Sequence, residues 1–147
     1  MIGEPTHRAH GSDLDADRLA ALLGVTEGPA TLLLLGAFES AARQLAASLP
    51  DVELVVAHDS VRAGEHESGV SRLRIGDVVP LRNGGMRGVA VASGGATALV
   101  REAARVCALA ARVVVTNVTA DVRAKLPELG LHVLAEQADT LVAVRHR

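Results

Sequence analysis

The chain has 147 residues, 49% of them hydrophobic and 22% charged, which fits one globular domain with a single core rather than a disordered segment. A net charge of −2 and a pI near 6.3 give no electrostatic basis for binding nucleic acid or an anionic membrane, and with no Trp, no Tyr and one Phe there is no aromatic platform for stacking bases. Cys107 is the one cysteine and Lys125 the one lysine, which excludes an intrachain disulfide, a Cys-rich zinc site and most lysine-based chemistry.

Residues 1–11, "MIGEPTHRAHG", lack the apolar centre of a signal peptide and read as a mobile tail; residues 12–147 are the expected domain. "SDLDADRLAALLG" predicts a short helix with Ser12 as N-cap, acids in the first turn and Gly24 as the stop. "TLLLLG", residues 31–36, is apolar at every position before its glycine, as a strand covered on both faces should be. Phe38, Ala41, Ala42, Leu45 and Leu49 then recur at helical spacing, and Pro50 closes that helix. "VELVVAHD" is the second strand. In "VSRLRIGD", Leu73 and Ile75 alternate with Arg72 and Arg74, the pattern of a half-wet strand at a sheet edge.

"GVAVAS" predicts a fourth strand of small apolar residues. Leu99, Ala103, Val106, Cys107 and Ala110 mark one face of a long helix after it, and "RVVVTNV" is a fifth buried strand. "TADVRAKLPELG" predicts a short helix with Thr119 as N-cap, ended or bent at Pro127. "LHVLAEQADTLVAVRHR" closes the chain as two strands about a tight "EQAD" connection, hence an antiparallel hairpin. Strand and helix alternate, so a parallel sheet with helices on both faces and right-handed crossovers is expected. Between Asp59 and Val70 there is barely room for a parallel crossover, and at most one helical turn is expected there. No apolar run reaches the length of a membrane span, so a cytoplasmic protein is expected.

From about residue 30 onward this order, with its terminal hairpin, resembles the class I S-adenosylmethionine (SAM)-dependent methyltransferases, and its phrases are similar to the small-molecule branch often called type 11. "LLLLGAFES" lies over the family's "VLDLGCGTG", "VVAHD" over the strand ending in the ribose-binding acid, and "RIGD" over the strand whose acid lies beside the adenine. "VPLRNGGMRGVAV" follows the outline of "LPFPDGSFDAVV", and "LVREAARVCALAARVVV" tracks "LLREAARVLRPGGRLVV". The resemblance implies a Rossmann-like three-layer α/β sandwich with a mostly parallel seven-stranded sheet of order 3-2-1-4-5-7-6 and a C-terminal antiparallel hairpin. It also implies SAM contacts at Gly36, Ala37, Asp59, Asp77, Val78 and Ser93.

The departures point the other way. The acid of the first strand is Leu34, and the second and third loop glycines are Phe38 and Ser40. Glycine belongs there because the backbone must come close to the methionine part of SAM; a Phe fills that space or buries in a core. The family's Asp before the fourth strand is Arg87, "RPGG" is replaced by Ala108, Leu109, Ala110 and Ala111, and the substrate-binding segment is trimmed to "SGGAT". The fold is expected to be kept and the SAM pocket degraded.

Each candidate site has a plainer alternative. Amides around Ala37 could hold a carboxylate, or Phe38 could simply dock as core. Asp59 and Asp77, at carboxyl ends of neighbouring strands, could grip an adenosine or stay solvated. Gly94, Gly95 and Thr97, with Ser93, could form an anion-binding turn facing Gly36 across the switch point, or a plain turn with Thr97 as N-cap. His58, Asp59, Glu65, His66 and Glu67 fit no ligand spacing and read as a solvated loop, as do His7 and His10 in the tail; no metal is expected. Cys107 reads as a small buried hydrophobe, and Arg72, Arg74, Arg82 and Arg87 as edge solvation. No G-x-S-x-G, Cys-His pair or H-E-x-x-H is present, so no catalytic residue is named.

The function expected from these residues is a non-catalytic methyltransferase-like domain, without bound SAM, that acts as a protein partner or homo-oligomer. The alternatives are an active small-molecule methyltransferase with an unconventional SAM loop and a phosphate or anion binder at Ser93–Thr97.

Overall fold

Leu32 to Leu35 lie at the centre of the molecule, none of them reached by solvent. The computed structural model describes residues 15–36, 38–58, 66–67, 70–74, 79–92 and 97–147. Ser12 and the predicted tail fall outside that set. The first described helix, α1 (Ala16–Leu23), starts at Asp15, whose extended backbone brings its carboxylate to the Arg18 amide at 2.8 Å; Gly24 ends the helix in the left-handed conformation.

β1 (Ala30–Leu35) is followed by α2 (Glu39–Ser48), β2 (Val52–His58), β3 (His66–Glu67), β4 (Val70–Arg74), β5 (Met86–Ala92), α3 (Thr97–Val106), β6 (Cys107–Thr116), α4 (Ala120–Lys125), a 3-10 turn at Pro127–Leu129, β7 (Leu131–Gln137) and β8 (Thr140–Arg145). The sheet order is β3-β4-β2-β1-β5-β6-β8-β7. Without the two-residue β3, this is the expected seven-stranded order 3-2-1-4-5-7-6. β4, β2, β1, β5 and β6 are parallel; β8 runs antiparallel to β6, and β7 to β8.

β3 pairs antiparallel with the outer side of β4, so the strand expected at the sheet edge lies one position inside it. Among the described residues the β2–β4 connection contributes this short strand and no helical turn.

The strand period of two divides the apolar residues between two cores. Leu33 and Leu35 of β1, Val89 and Val91 of β5 and Val113 and Val115 of β6 join Val100, Ala103 and Val106 of α3 and Val122 of α4. Leu32 and Leu34, Ala90 and Val114 face the other way and join Leu19 and Leu23 of α1 and Phe38, Ala41, Ala42 and Leu45 at α2. Continuous apolar strands are the consequence of helices on both faces.

The helix predicted to run past Cys107 stops at Val106. Cys107 pairs with Met86, and the next paired residue, Arg112, is opposite Gly88, so residues 108–111 bulge out of the ladder. Ala110 takes a left-handed φ of 68°, and Leu109 is 64% exposed. Ala and Leu favour helix by propensity, but pairing with β5 overrides that preference here.

Candidate functional site

In an open α/β sheet the ligand rim is at the carboxyl ends of the strands, where the connections diverge between the first strand and its neighbour on the other side. Here that switch point lies between β1 and β5, whose Leu32–Leu35 and Gly88–Val91 are in register. Gly36 continues directly from β1. Its amide donates to Ala57 O at 2.9 Å, and its φ is 112°. A Cβ placed on Gly36 would lie 2.8 Å from Ala92 Cβ, so glycine is required both by conformation and by the closeness of β5.

The chain turns immediately after this glycine. The Phe38 amide donates to Gly36 O at 3.0 Å, and Ala42 N donates to Phe38 O at 2.9 Å, which starts α2. Phe38 is the cap residue of α2 but supplies no side-chain hydrogen bond there. Its ring is 1% exposed and joins the same core as Leu34 and Leu45. Leu34 and Phe38, the acid-to-Leu and glycine-to-Phe departures, thus meet in one apolar environment.

Of the other residues expected at the site, Ala37, Asp59, Asp77, Val78, Ser93, Gly94 and Gly95 lie outside the described residues. Thr97 is the first described residue of α3. On the far half of the rim, Thr116 is buried at the end of β6 and its hydroxyl donates to Val91 O at 3.4 Å. Asn117 follows with φ of 54°, and the Val118 amide ties this turn to Asp139 O at 3.0 Å.

The polar construction that sequence reasoning missed is a clasp on α3. Glu102 Oε1 accepts the Val79 amide at 2.8 Å, and Arg105 Nη2 donates to Val79 O at 2.7 Å, so one ion pair satisfies both main-chain groups of Val79. Arg105 also donates from Nε to Glu102 Oε2 at 3.1 Å and from Nη2 to Glu102 Oε1 at 2.8 Å. Its Nη1 reaches Leu81 O at 2.8 Å and Asn83 Oδ1 at 2.7 Å. All five guanidinium donors are used, so this arginine is not available to a ligand. The Arg105 hydrogen bonds hold the Glu102 carboxyl below its ordinary value against the opposing effect of burial, with the Val79 amide adding to the lowering. The residues are the "E" and "R" of "LVREAARV", three positions apart on one face of a helix, which is the signal available in the sequence.

The remaining candidates resolve simply. Burial raises the Cys107 thiol to about 11, and the side chain is inaccessible to solvent, so it is no nucleophile at neutral pH. Arg82 and Arg87 are exposed. Among the described residues no group of three or more His, Cys, Asp or Glu is placed to hold a metal ion, and no helix is long and apolar enough to cross a membrane.

No family model matches the chain, and no curated protein matches it in sequence. Solved structures do match its fold. A chain of the complex between the Haloferax volcanii Trm112 methyltransferase activator and a candidate methyltransferase superposes with a TM-score of 0.72 at 16% identity, over 94% of this chain and 91% of the other. A candidate sarcosine dimethylglycine methyltransferase from Galdieria sulphuraria gives 0.65 at 18% identity over 82% of this chain, which spans 60% of that longer protein. The [4+2]-cyclase SpnF gives 0.64 at 12% identity over 89% of this chain and 66% of the cyclase. With its strand order, the chain therefore has the class I SAM-dependent methyltransferase fold.

Proposed function

We propose that this chain is a methyltransferase-like domain that has given up methyl transfer and acts by binding, as the partner of another protein or of a second copy of itself. The observation that supports this most is the burial of Leu34 and Phe38 in one apolar core, at the two positions where the fold's SAM loop calls for an acid and a glycine. An acid there would organise the loop amides by hydrogen bonds, and a glycine would let the backbone approach the cofactor. Leucine can do neither. Phenylalanine stabilises the turn by burying its ring rather than by leaving room.

Two of the similar structures are described by a binding partner or by a reaction other than methyl transfer. One is described as a methyltransferase complexed with an activator protein, and another as a [4+2]-cyclase. The fold alone does not dictate methyl transfer.

The test is calorimetric titration of SAM and of S-adenosylhomocysteine into the protein. Silence at millimolar ligand is the expected result. Saturable heat at micromolar ligand overturns it and favours the second reading, an active small-molecule methyltransferase in which Gly36, with its retained positive φ, still turns the backbone toward the cofactor. Without Trp or Tyr, intrinsic fluorescence is a poor substitute.

A further inference from the structure

Away from the switch point, a groove of about 300 Å³ runs between α1 and the C-terminal hairpin. Its apolar floor is Leu22 of α1 with Ala135 and Val142, which are paired across β7 and β8; Arg18, Gln137 and Thr140 stand at the end nearest the hairpin turn. We propose that this groove binds a small amphipathic monocarboxylate, with its apolar chain on Leu22, Ala135 and Val142 and its carboxylate on Arg18.

The register decides which charges face the groove. Ala135 and Gln137 are opposite Val142 and Thr140 on the α1 side of the hairpin. Glu136, one residue out of phase, is opposite Leu141 and belongs to the α4 side. Although Glu136 also borders the groove, its carboxylate is engaged by Arg123 of α4 through both oxygens. Arg18 is the reverse case. Among the described residues, Gln137 Oε1 at 3.3 Å is the one acceptor on its guanidinium, which leaves most of its donors for a ligand. An open apolar trough with a cation at one end complements a carboxylate on a short hydrocarbon. A volume of about 300 Å³ lies at the lower end of the range of small-molecule sites.

This inference does not depend on whether SAM binds. The test uses the full chain and octanoate as probe, with octanol as its neutral counterpart, followed by the methyl and amide NMR signals of Leu22, Ala135 and Val142. The expected result is saturable shifts centred on these residues, with octanoate binding weakened about five- to tenfold in Arg18→Gln and octanol binding unchanged. As Arg18 is exposed, the variant should fold normally; independently, added salt should weaken octanoate and not octanol binding to the native chain. No saturable shift, shifts centred elsewhere, equal octanoate affinity in both proteins, or binding indifferent to salt would each overturn the proposal.

Discussion

Glu102 and Arg105 meet in a two-pronged ion pair, Oε1 to Nη2 at 2.8 Å and Oε2 to Nε at 3.1 Å, and between them hold both main-chain groups of Val79. The segment from Val79 to Gly85 that leads into β5 is neither helix nor strand, so its polar groups need partners from outside. α3 supplies them, and the Gly84 amide completes the attachment by donating to Arg105 O at 2.9 Å. Replacing Arg105 by Lys keeps the charge but loses the fork that reaches four acceptor groups at once. Arg105→Lys should therefore destabilise by about 2–4 kcal/mol in urea unfolding followed by far-UV circular dichroism. A loss below about 0.5 kcal/mol would show that the clasp is dispensable.

The same pair makes a pH prediction. Because Glu102's carboxyl is lowered in the folded chain, its contribution to stability is present above the ordinary value of 4.5 and is lost as pH falls through the folded value. The native protein should therefore exceed Glu102→Gln in stability at about pH 7, and the gap should narrow on acidification to about pH 3. Urea midpoints across that range measure it, and a constant gap would argue against an ionised Glu102 as the source.

Phe38 and Leu34 test the reading of the degraded loop. Phe38→Gly removes a buried ring and should cost about 3–5 kcal/mol. Leu34→Asp restores the acid that the fold's SAM loop uses, but into a dry core without a partner, and should cost more than about 4 kcal/mol. If Leu34→Asp were tolerated in unfolding experiments, the space beside it would be wet and open, and the degraded-pocket reading would fall.

Cys107 reports on the α3–β6 junction. With its thiol pushed up to about 11 and fully buried, it should be alkylated by iodoacetamide at about pH 8 more than about a hundredfold more slowly than in the urea-unfolded chain. Comparable rates would place this residue on an accessible surface.

How far the sequence could be read depended on which interactions decide each element. β1, β2, β5 and the C-terminal hairpin were legible because an unbroken apolar run, or a pair of them about a turn, has few other uses. Thr119 and Gly24 marked helix ends correctly because capping is local: the Thr119 hydroxyl accepts the Val122 amide at 3.3 Å, and Gly24 adopts the left-handed conformation. The start of α1 moved from Ser12 to Asp15 because "SDLDAD" offers several competing caps. Cys107 and Ala110 fit helical spacing because Ala-rich segments readily do, whereas the true state of Cys107 is set by its pairing with Met86, a residue distant in sequence. At the candidate site, the burial of Phe38 could be anticipated from its chemistry. The Glu102–Arg105 clasp could not, because it depends on Val79, Leu81 and Asn83 arriving over α3, and no local pattern encodes that approach.

Gly36 and Ala92 carry the last prediction, because they measure how tightly the switch point is closed. Gly36→Ala introduces a side chain where φ is 112° and where the new Cβ would meet Ala92 Cβ at 2.8 Å. These two penalties, backbone strain and overpacking, should together cost about 2–4 kcal/mol. Ala92→Gly in the same chain removes the collision but not the strain, so the double variant should recover about 1 kcal/mol or more relative to simple addition of the single effects. The cycle separates two explanations of why glycine stands at the end of β1. Strong coupling means that β5 presses on the turn and fills the crevice there. Additive effects mean that the backbone conformation alone demands glycine, leaving the β1–β5 crevice free to admit a ligand; that outcome would strengthen the case for SAM binding over the partner role.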